Sequence, residues 1–200
     1  MNRREAIQRA TLALGYAIST PALLAVLNGC KATPKMLFTP VFFNEAQAQL
    51  VSALAEIILP KTSTPGATEV GVPAFIDLLL KEVYPPEDQQ KFLSELTFFD
   101  QNCEKAYGSK FIDCTVEKQM EYFGKLHAEA MASVGNGGST GWWNTGQEEE
   151  KSFILKIKEL TLLGFFTSEP GATQVLQYSQ APGPYQGCVP LQQVGRAWAT

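Results

Sequence analysis

The sequence predicts an all-α protein: a compact bundle of about five helices with long irregular loops and a Pro/Gly-rich C-terminal tail. Three observations lead there. Apolar residues recur at spacings of three and four in five separate stretches, the period of a helix with one buried face. No stretch reads as a convincing strand. Breakers stand between the periodic stretches, at Pro60, at Pro85-Pro86, at Gly108 and in the glycine-rich run 134–146. With 200 residues, 45% of them hydrophobic, the chain can bury one core, in a single helical domain over residues 43–200.

Asn44 is placed to cap a first helix that runs to Leu59, with Leu50, Val51, Leu54, Ile57 and Ile58 on one face. Pro60 ends it. Residues 60–71 (PKTSTPGATEVG) carry no apolar period and read as a long loop, either functional or wrapped on the surface. Val72-Pro73 opens the second helix, since proline suits a first turn. Phe75, Ile76, Leu79, Leu80 and Val83 make its stripe. The third runs from about Pro86 to Tyr107, with Phe92, Leu96, Phe99, Cys103 and Ala106 at helical spacing and Gly108 as its C-cap.

Thr115 is placed to cap a fourth helix reaching about Ser133, with Met120, Phe123, His127 and Ala130 inward. A fifth starts near Gln147, where Glu148, Glu149 and Glu150 suit the positive end of the helix dipole. Phe153, Ile154, Ile157, Leu160 and Thr161 form its stripe. Beyond it, Pro170, Pro182, Pro184 and Pro190 interrupt any regular element. Such a tail has no core of its own. It has to lie on its own domain or on another chain, and is expected to be partly disordered when the domain is alone.

Residues 1–29 read as an export signal and residues 30–42, with Pro34 and Pro40, as a tether. Arg3-Arg4 precedes a weakly apolar, uncharged run from Ala10 to Leu27, a pattern that looks like a twin-arginine signal. Ala6 stands where Phe or Leu is usual, which leaves the general secretion route open. Leu27-Asn28-Gly29-Cys30 resembles a lipobox, in which Cys30 is acylated and becomes the first mature residue. An uncleaved anchor helix and a soluble exported form are the alternatives. All three place the domain outside the cytoplasm, and the lipoprotein reading sets it, membrane-anchored, on the periplasmic side of a bacterial envelope.

The charge of −4 and the scattered Lys and Arg offer no footprint for nucleic acid. His127 is the only histidine, which excludes a multi-His metal site; as a triad base it lacks an evident orienting partner, and its inward position reads as a packed residue. The mature cysteines, Cys103, Cys114 and Cys188, lack the close pairs of a zinc or iron–sulfur site. No dinucleotide fingerprint follows a strand and no phosphate loop with its lysine is present. The residues therefore point to no catalytic, cofactor or metal site in this chain.

Glu148 to Glu150 read as a solvated helix start rather than as opposed glycosidase carboxylates. Trp142 and Trp143, in the glycine-rich loop, are either a packed lid or a partner contact. Cys103 and Cys114 flank a turn, so a short-range disulfide is open to them if their Cα atoms come within about 7 Å. Cys188 would then be left over, as a free thiol, an intermolecular bridge or a buried unreactive side chain.

Three segments together resemble the gluconate 2-dehydrogenase subunit 3 family: LVSALAEIILPKTSTPGATEVGVPAFIDLLL (50–80), LTLLGFFTSEPG (160–171) and YSQAPGPYQGCVPL (178–191). The resemblance implies a non-catalytic accessory subunit. In that family FAD and the substrate belong to a large subunit of the glucose–methanol–choline oxidoreductase type, and a cytochrome c subunit often takes the electrons. The small subunit binds, matures and co-exports the large one, and Cys30 suggests that this member anchors it by lipid. On that reading the partner interface lies in 160–191, led by Tyr178, Tyr185 and Cys188, with Phe165, Phe166, Trp142 and Trp143 second. A stand-alone envelope lipoprotein that binds carbohydrate or another envelope component is the alternative.

Overall fold

The computed structural model describes residues 38–133, 152–181, 183–184 and 187–199. Their helices are α1 (Glu45–Ile58), α2 (Val72–Glu82), α3 (Pro86–Tyr107), α4 (Val116–Ser133), α5 (Phe153–Phe166) and the short α6 (Leu191–Val194). A 3₁₀ turn at Phe111–Asp113 joins α3 to α4, and a π turn, Gly171–Val175, follows α5. The only β pairing among the described residues is one isolated bridge in the tail. The all-α expectation holds.

Local chemistry sets several of these boundaries. The Asn44 side chain accepts from Gln47 N (2.9 Å), and the Gln47 side chain accepts from Asn44 N (3.0 Å). This reciprocal box satisfies two of the donors that a helix start leaves orphaned. Pro73 occupies the first turn of α2, and Gly108 caps α3. Between α2 and α3, the Gln89 amide donates to the carbonyls of Leu80 and Tyr84, each at 2.9 Å. That seals the C-terminal end of α2.

Helix α5 is the centre of the bundle and packs against α1, α2, α3 and α4. Its buried residues include Phe153, Ile154, Ile157, Leu160, Thr161 and Phe165, so it is apolar nearly all round, the pattern of an enclosed helix. Gly164 is where α2 comes closest: a Cβ there would stand 2.7 Å from the Phe75 ring. The charges of α5 are matched at its edges. Lys156 Nζ reaches both carboxylate oxygens of Glu95 on α3, at 2.8 and 3.0 Å. A chain of aromatic rings completes the core, from Phe43 to Phe92, Phe153, Phe99 and then Phe111 and Tyr122, with centroids 5.0–6.1 Å apart. Each such pair adds about 0.5–1.5 kcal/mol beyond its area burial.

The segment that leads into α1 is held by one carboxylate. Asp77 on α2 is 1% exposed and accepts from three successive backbone N–H groups: Val41 (2.7 Å), Phe42 (3.1 Å) and Phe43 (2.8 Å). Glu56 does the same for loop 60–71. Its carboxylate accepts from Lys61 N (3.0 Å), Thr68 N (3.2 Å) and Thr68 Oγ1 (2.6 Å), while Lys61 and Glu69 pair across the loop. Of the two readings of that loop, wrapping on the domain is the one these bonds describe.

Four expectations need correction. Met120 does not face inward but is 59% exposed; Gln119 is buried in its stead because its amide donates to Phe111 O at 2.6 Å. Val83 and Ala106, placed on buried stripes, are exposed, each lying in the last turn of its helix or just past it, where the packed face runs out. Helix α5 begins at Phe153, with Ser152 as its extended N-cap (φ −55°, ψ 143°), rather than near Gln147. Residues 147–151, with the acidic run, lie outside the described residues.

Two substitutions test this architecture. Asp77→Ala is expected to lower stability by about 3 kcal/mol, because three N–H groups lose one acceptor. Asp77→Asn should cost less, since its amide oxygen still accepts. A urea midpoint for Asp77→Ala equal to that of the parent would sink the assignment. Gly164→Ala is expected to cost about 1–3 kcal/mol through overpacking against Phe75, read from the same titration.

Candidate functional site

The C-terminal region is built outward from the end of α5. Thr167 Oγ1 donates to Leu163 O (2.7 Å) and Ser168 Oγ to Phe165 O (2.6 Å), while Ser168 Oγ accepts from Gly171 N (3.1 Å). The chain turns so tightly that a Cβ on Gly171 would lie 1.9 Å from the Phe165 carbonyl oxygen. No side chain fits there. Thr173 Oγ1 donates to Glu169 O (2.7 Å), and Leu176 N closes the π turn on Gly171 O (3.0 Å).

Past this turn the tail closes on itself. Gln177 N donates to Ala197 O (2.8 Å) and Ala199 N to Gln177 O (2.9 Å), a parallel bridge between Gln177 and Trp198. Arg196 Nη1 adds a bond to Gln174 O at 2.8 Å. The tail is thereby joined to itself at Gln177 and Trp198. It presents Tyr178 (58% exposed), Trp198 (45% exposed) and the exposed Cys188. Cys188 has φ 55°, a left-handed conformation that non-glycine residues rarely adopt. The tail does lack a core of its own, as its prolines imply, but backbone pairing holds its two ends together.

The expected interface residues separate into groups. Tyr178 and Cys188 are exposed in the closed loop. Phe165 is 3% exposed, and Phe166 is half-buried at 5.3 Å from it, edge to face. Phe165 thus serves the core, where it supports the turn without offering a surface. Tyr185, Trp142, Trp143, Cys30, Arg3 and Arg4 lie outside the described residues. Cys103 and Cys114 meet: their Sγ atoms are 3.9 Å apart, as two thiols. Trp198, Gly171 and Ser168 are members of this region that the sequence reading did not single out. The Ser-x-x-Gly spacing at 168–171, just after an apolar helix, was the available signal for the turn.

His127 packs as a single residue. Its ring stacks on Phe123 (10° between planes), and its Nε2 lies 2.8 Å from Lys158 Nζ. Burial, and then the Lys158 charge, hold its pKa below the ordinary histidine value. The neutral ring accepts from the ammonium. Among the described residues no three of His, Cys, Asp and Glu converge, and no helix is long and apolar enough to cross a membrane. Among the described residues a groove of about 260 Å³ lies between helices, by Phe98, Asn102, Leu126 and Ile154.

A family model described as gluconate 2-dehydrogenase subunit 3 matches residues 45–183. The chain belongs to the gluconate 2-dehydrogenase subunit 3 family. As a member, it is a small subunit of such dehydrogenase complexes. The match starts on the first residue of α1 and takes in every longer helix, the turn at Ser168–Gly171 and Tyr178. It ends at Gly183, so Cys188 and Trp198 lie beyond it. No curated protein and no solved structure matches the chain.

Two measurements follow from these geometries. Gly171→Ala is expected to open the turn and make residues 176–199 more sensitive to limited proteolysis while α1 to α5 stay resistant; equal cleavage of parent and variant would refute the role of the turn. His127 has a folded pKa below its unfolded value near 6.5, so the unfolded chain takes up the proton first. Stability is therefore full above about pH 6.5 and falls as the pH drops through and below that value. His127→Gln should flatten the melting temperature between pH 7 and pH 5, and an unchanged slope would count against the pairing with Lys158.

Proposed function

We propose that this chain is the non-catalytic small subunit of an exported, flavin-dependent sugar or sugar-acid dehydrogenase, and that it binds, matures, co-exports and anchors the FAD-bearing large subunit. The observation that carries the reading is the closed tail loop on the end of α5. Its exposed Tyr178, Trp198 and Cys188 lie past the hydrogen-bonded turn, on a tail that the Gln177–Trp198 bridge joins to itself. Aromatic side chains on a backbone already joined at its ends lose little freedom on docking, which suits them as anchors. The large subunit is taken to be of the glucose–methanol–choline type, with FAD there and not in this chain. A cytochrome c subunit accepts the electrons.

The N-terminal side serves the anchor. Arg3 and Arg4 direct export, and Cys30 carries the lipid on the periplasmic side of the envelope. The ten residues 31–40 span at most about 36 Å when fully extended, which keeps the domain and its partner close to the membrane. The tether ends at the N–H groups held by Asp77, so tension from the anchor is delivered to α2 and hence to the bundle.

An affinity pull-down of the mature protein from its native envelope, followed by a flavin absorbance spectrum and mass identification, tests the proposal. A stoichiometric flavoprotein partner is the expected result. A colourless protein recovered alone under gentle conditions would overturn it in favour of a stand-alone envelope lipoprotein. Cys188→Ser is expected to abolish a disulfide-linked band on non-reducing gels. Unchanged recovery of the complex in reducing and non-reducing conditions would count against an intersubunit bond through Cys188.

A further inference from the structure

We propose that Cys103 and Cys114 are a modification site of their own: a dithiol that is oxidised by exchange with a disulfide reagent or disulfide-bearing oxidoreductase, stapling the end of α3 to the 3₁₀ turn. The bond itself depends on this chain alone. Its consequence, that Cys188 is left as the tail's thiol for another chain, rests on the subunit reading above.

The geometry is prepared by polar bonds that do not involve sulfur. Phe111, at the start of the turn, is fully buried, and its backbone is held from both sides. Its N–H donates to Asp100 on α3 (2.9 Å), and its carbonyl accepts from the buried Gln119 on α4 (2.6 Å). Tyr122 on α4 adds a bond to Phe99 O at 3.2 Å. The turn cannot slide along α3 without breaking these bonds. Cys114, as the residue that closes the turn, is held over Cys103 with the sulfurs 3.9 Å apart. A disulfide needs about 2.05 Å, so the approach required is under about 2 Å and falls on Cys114, the half-buried partner, whose thiol otherwise donates to Ser109 O at 3.7 Å.

The exchange balances as follows. The Cys114 thiolate attacks one sulfur of the oxidant, forms a mixed disulfide and expels the first oxidant thiolate. Cys103, on losing its proton, attacks the Cys114 sulfur and expels the second. Two protein thiols and one oxidant disulfide become one protein disulfide and two oxidant thiols, which receive the two electrons and the two protons.

The surroundings make this a structural bond rather than a catalytic one. Burial pushes the Cys103 thiol up to about 12, and the neighbouring Cys114 and Asp100 add to the effect. A reactive redox cysteine sits beside cations that stabilise its thiolate. Here Asp100 and the phenols of Tyr107 and Tyr122 are the groups around the pair, so the thiolate that reduction would release is disfavoured. Disulfides with poor leaving thiolates are slow to reopen.

Peptide mapping of the full chain, free of any partner, decides the matter. The chain is incubated with oxidised glutathione, denatured and alkylated, then digested with trypsin without reduction. Lys105 and Lys110 lie between the two cysteines, so cleavage puts them on separate peptides unless they are bonded. The expected result is one cross-linked pair of peptides, lighter by two hydrogens than their sum, with Cys188 on a separate peptide, alkylated or carrying one glutathione. The melting temperature should rise on the order of 5 °C, and dithiothreitol should reverse the rise. Cys114→Ser, a change at a half-buried site, should remove both effects. Alkylation of both Cys103 and Cys114, or a bond from either to Cys188, would overturn the proposal. Because no flavoprotein is present, either result leaves the pull-down an independent test of the subunit reading.

Discussion

Helix α5 has almost no face to give to water, and the rest of the bundle is arranged to relieve that. A fourteen-residue helix with Phe153, Ile157, Leu160 and Phe165 all buried has to be surrounded, because each large apolar side chain left exposed would forfeit about 1.5–3 kcal/mol. Helices α1, α2, α3 and α4 pack around it. At Gly164 the Phe75 ring of α2 occupies the volume of the missing side chain, which lets the two helices approach closely. The lysines of α5 fit the same constraint. Lys156 and Lys158 reach Glu95 and His127 on neighbouring helices, so neither charge is left unpartnered within the bundle.

The irregular segments are held differently, by side chains that bond to backbone. Asp77 gathers the approach to α1, Glu56 gathers loop 60–71, Gln89 seals the end of α2, and Gln119 fixes the 3₁₀ turn. Each is a polar group whose burial is offset only because its hydrogen bonds are made. Long connections without regular structure are thereby fixed at their ends, which lets a small helical domain carry them. The tail follows the same logic in its first half and then changes to backbone pairing, so its exposed aromatics ride on a closed loop and not on a free end.

This arrangement separates the residues that build the turn from those exposed beyond it. Phe165, Ser168 and Gly171 build the turn and face inward or into the backbone. Tyr178, Cys188 and Trp198 face outward from it. The family match covers the supporting part and stops short of Cys188 and Trp198. The cysteines divide along the same line, with two meeting inside the bundle and one standing in the tail.

The sequence by itself determined whatever depends on residues a few positions apart. The apolar period announced the helices, Asn44 and Gln47 are close enough to cap one another, and Pro73 and Gly108 act through their own backbone angles. The family was legible too, because its signature lies in contiguous runs such as GFFTSEPG. Only the tertiary structure decided the rest. Asp77 sits on the apolar stripe of α2 between Ile76 and Leu80, a visible oddity, but its partners are 34 to 36 residues away. The exchange of Met120 for Gln119 in the interior turned on a carbonyl of another element, and Gly164 on a ring 89 positions earlier, Phe75. The closure of the tail joins Gln177 to Trp198 through backbone groups alone, which carry no residue signature. Local propensity is written in neighbouring side chains, whereas close approach and long-range hydrogen bonding exist only once the helices have been brought together.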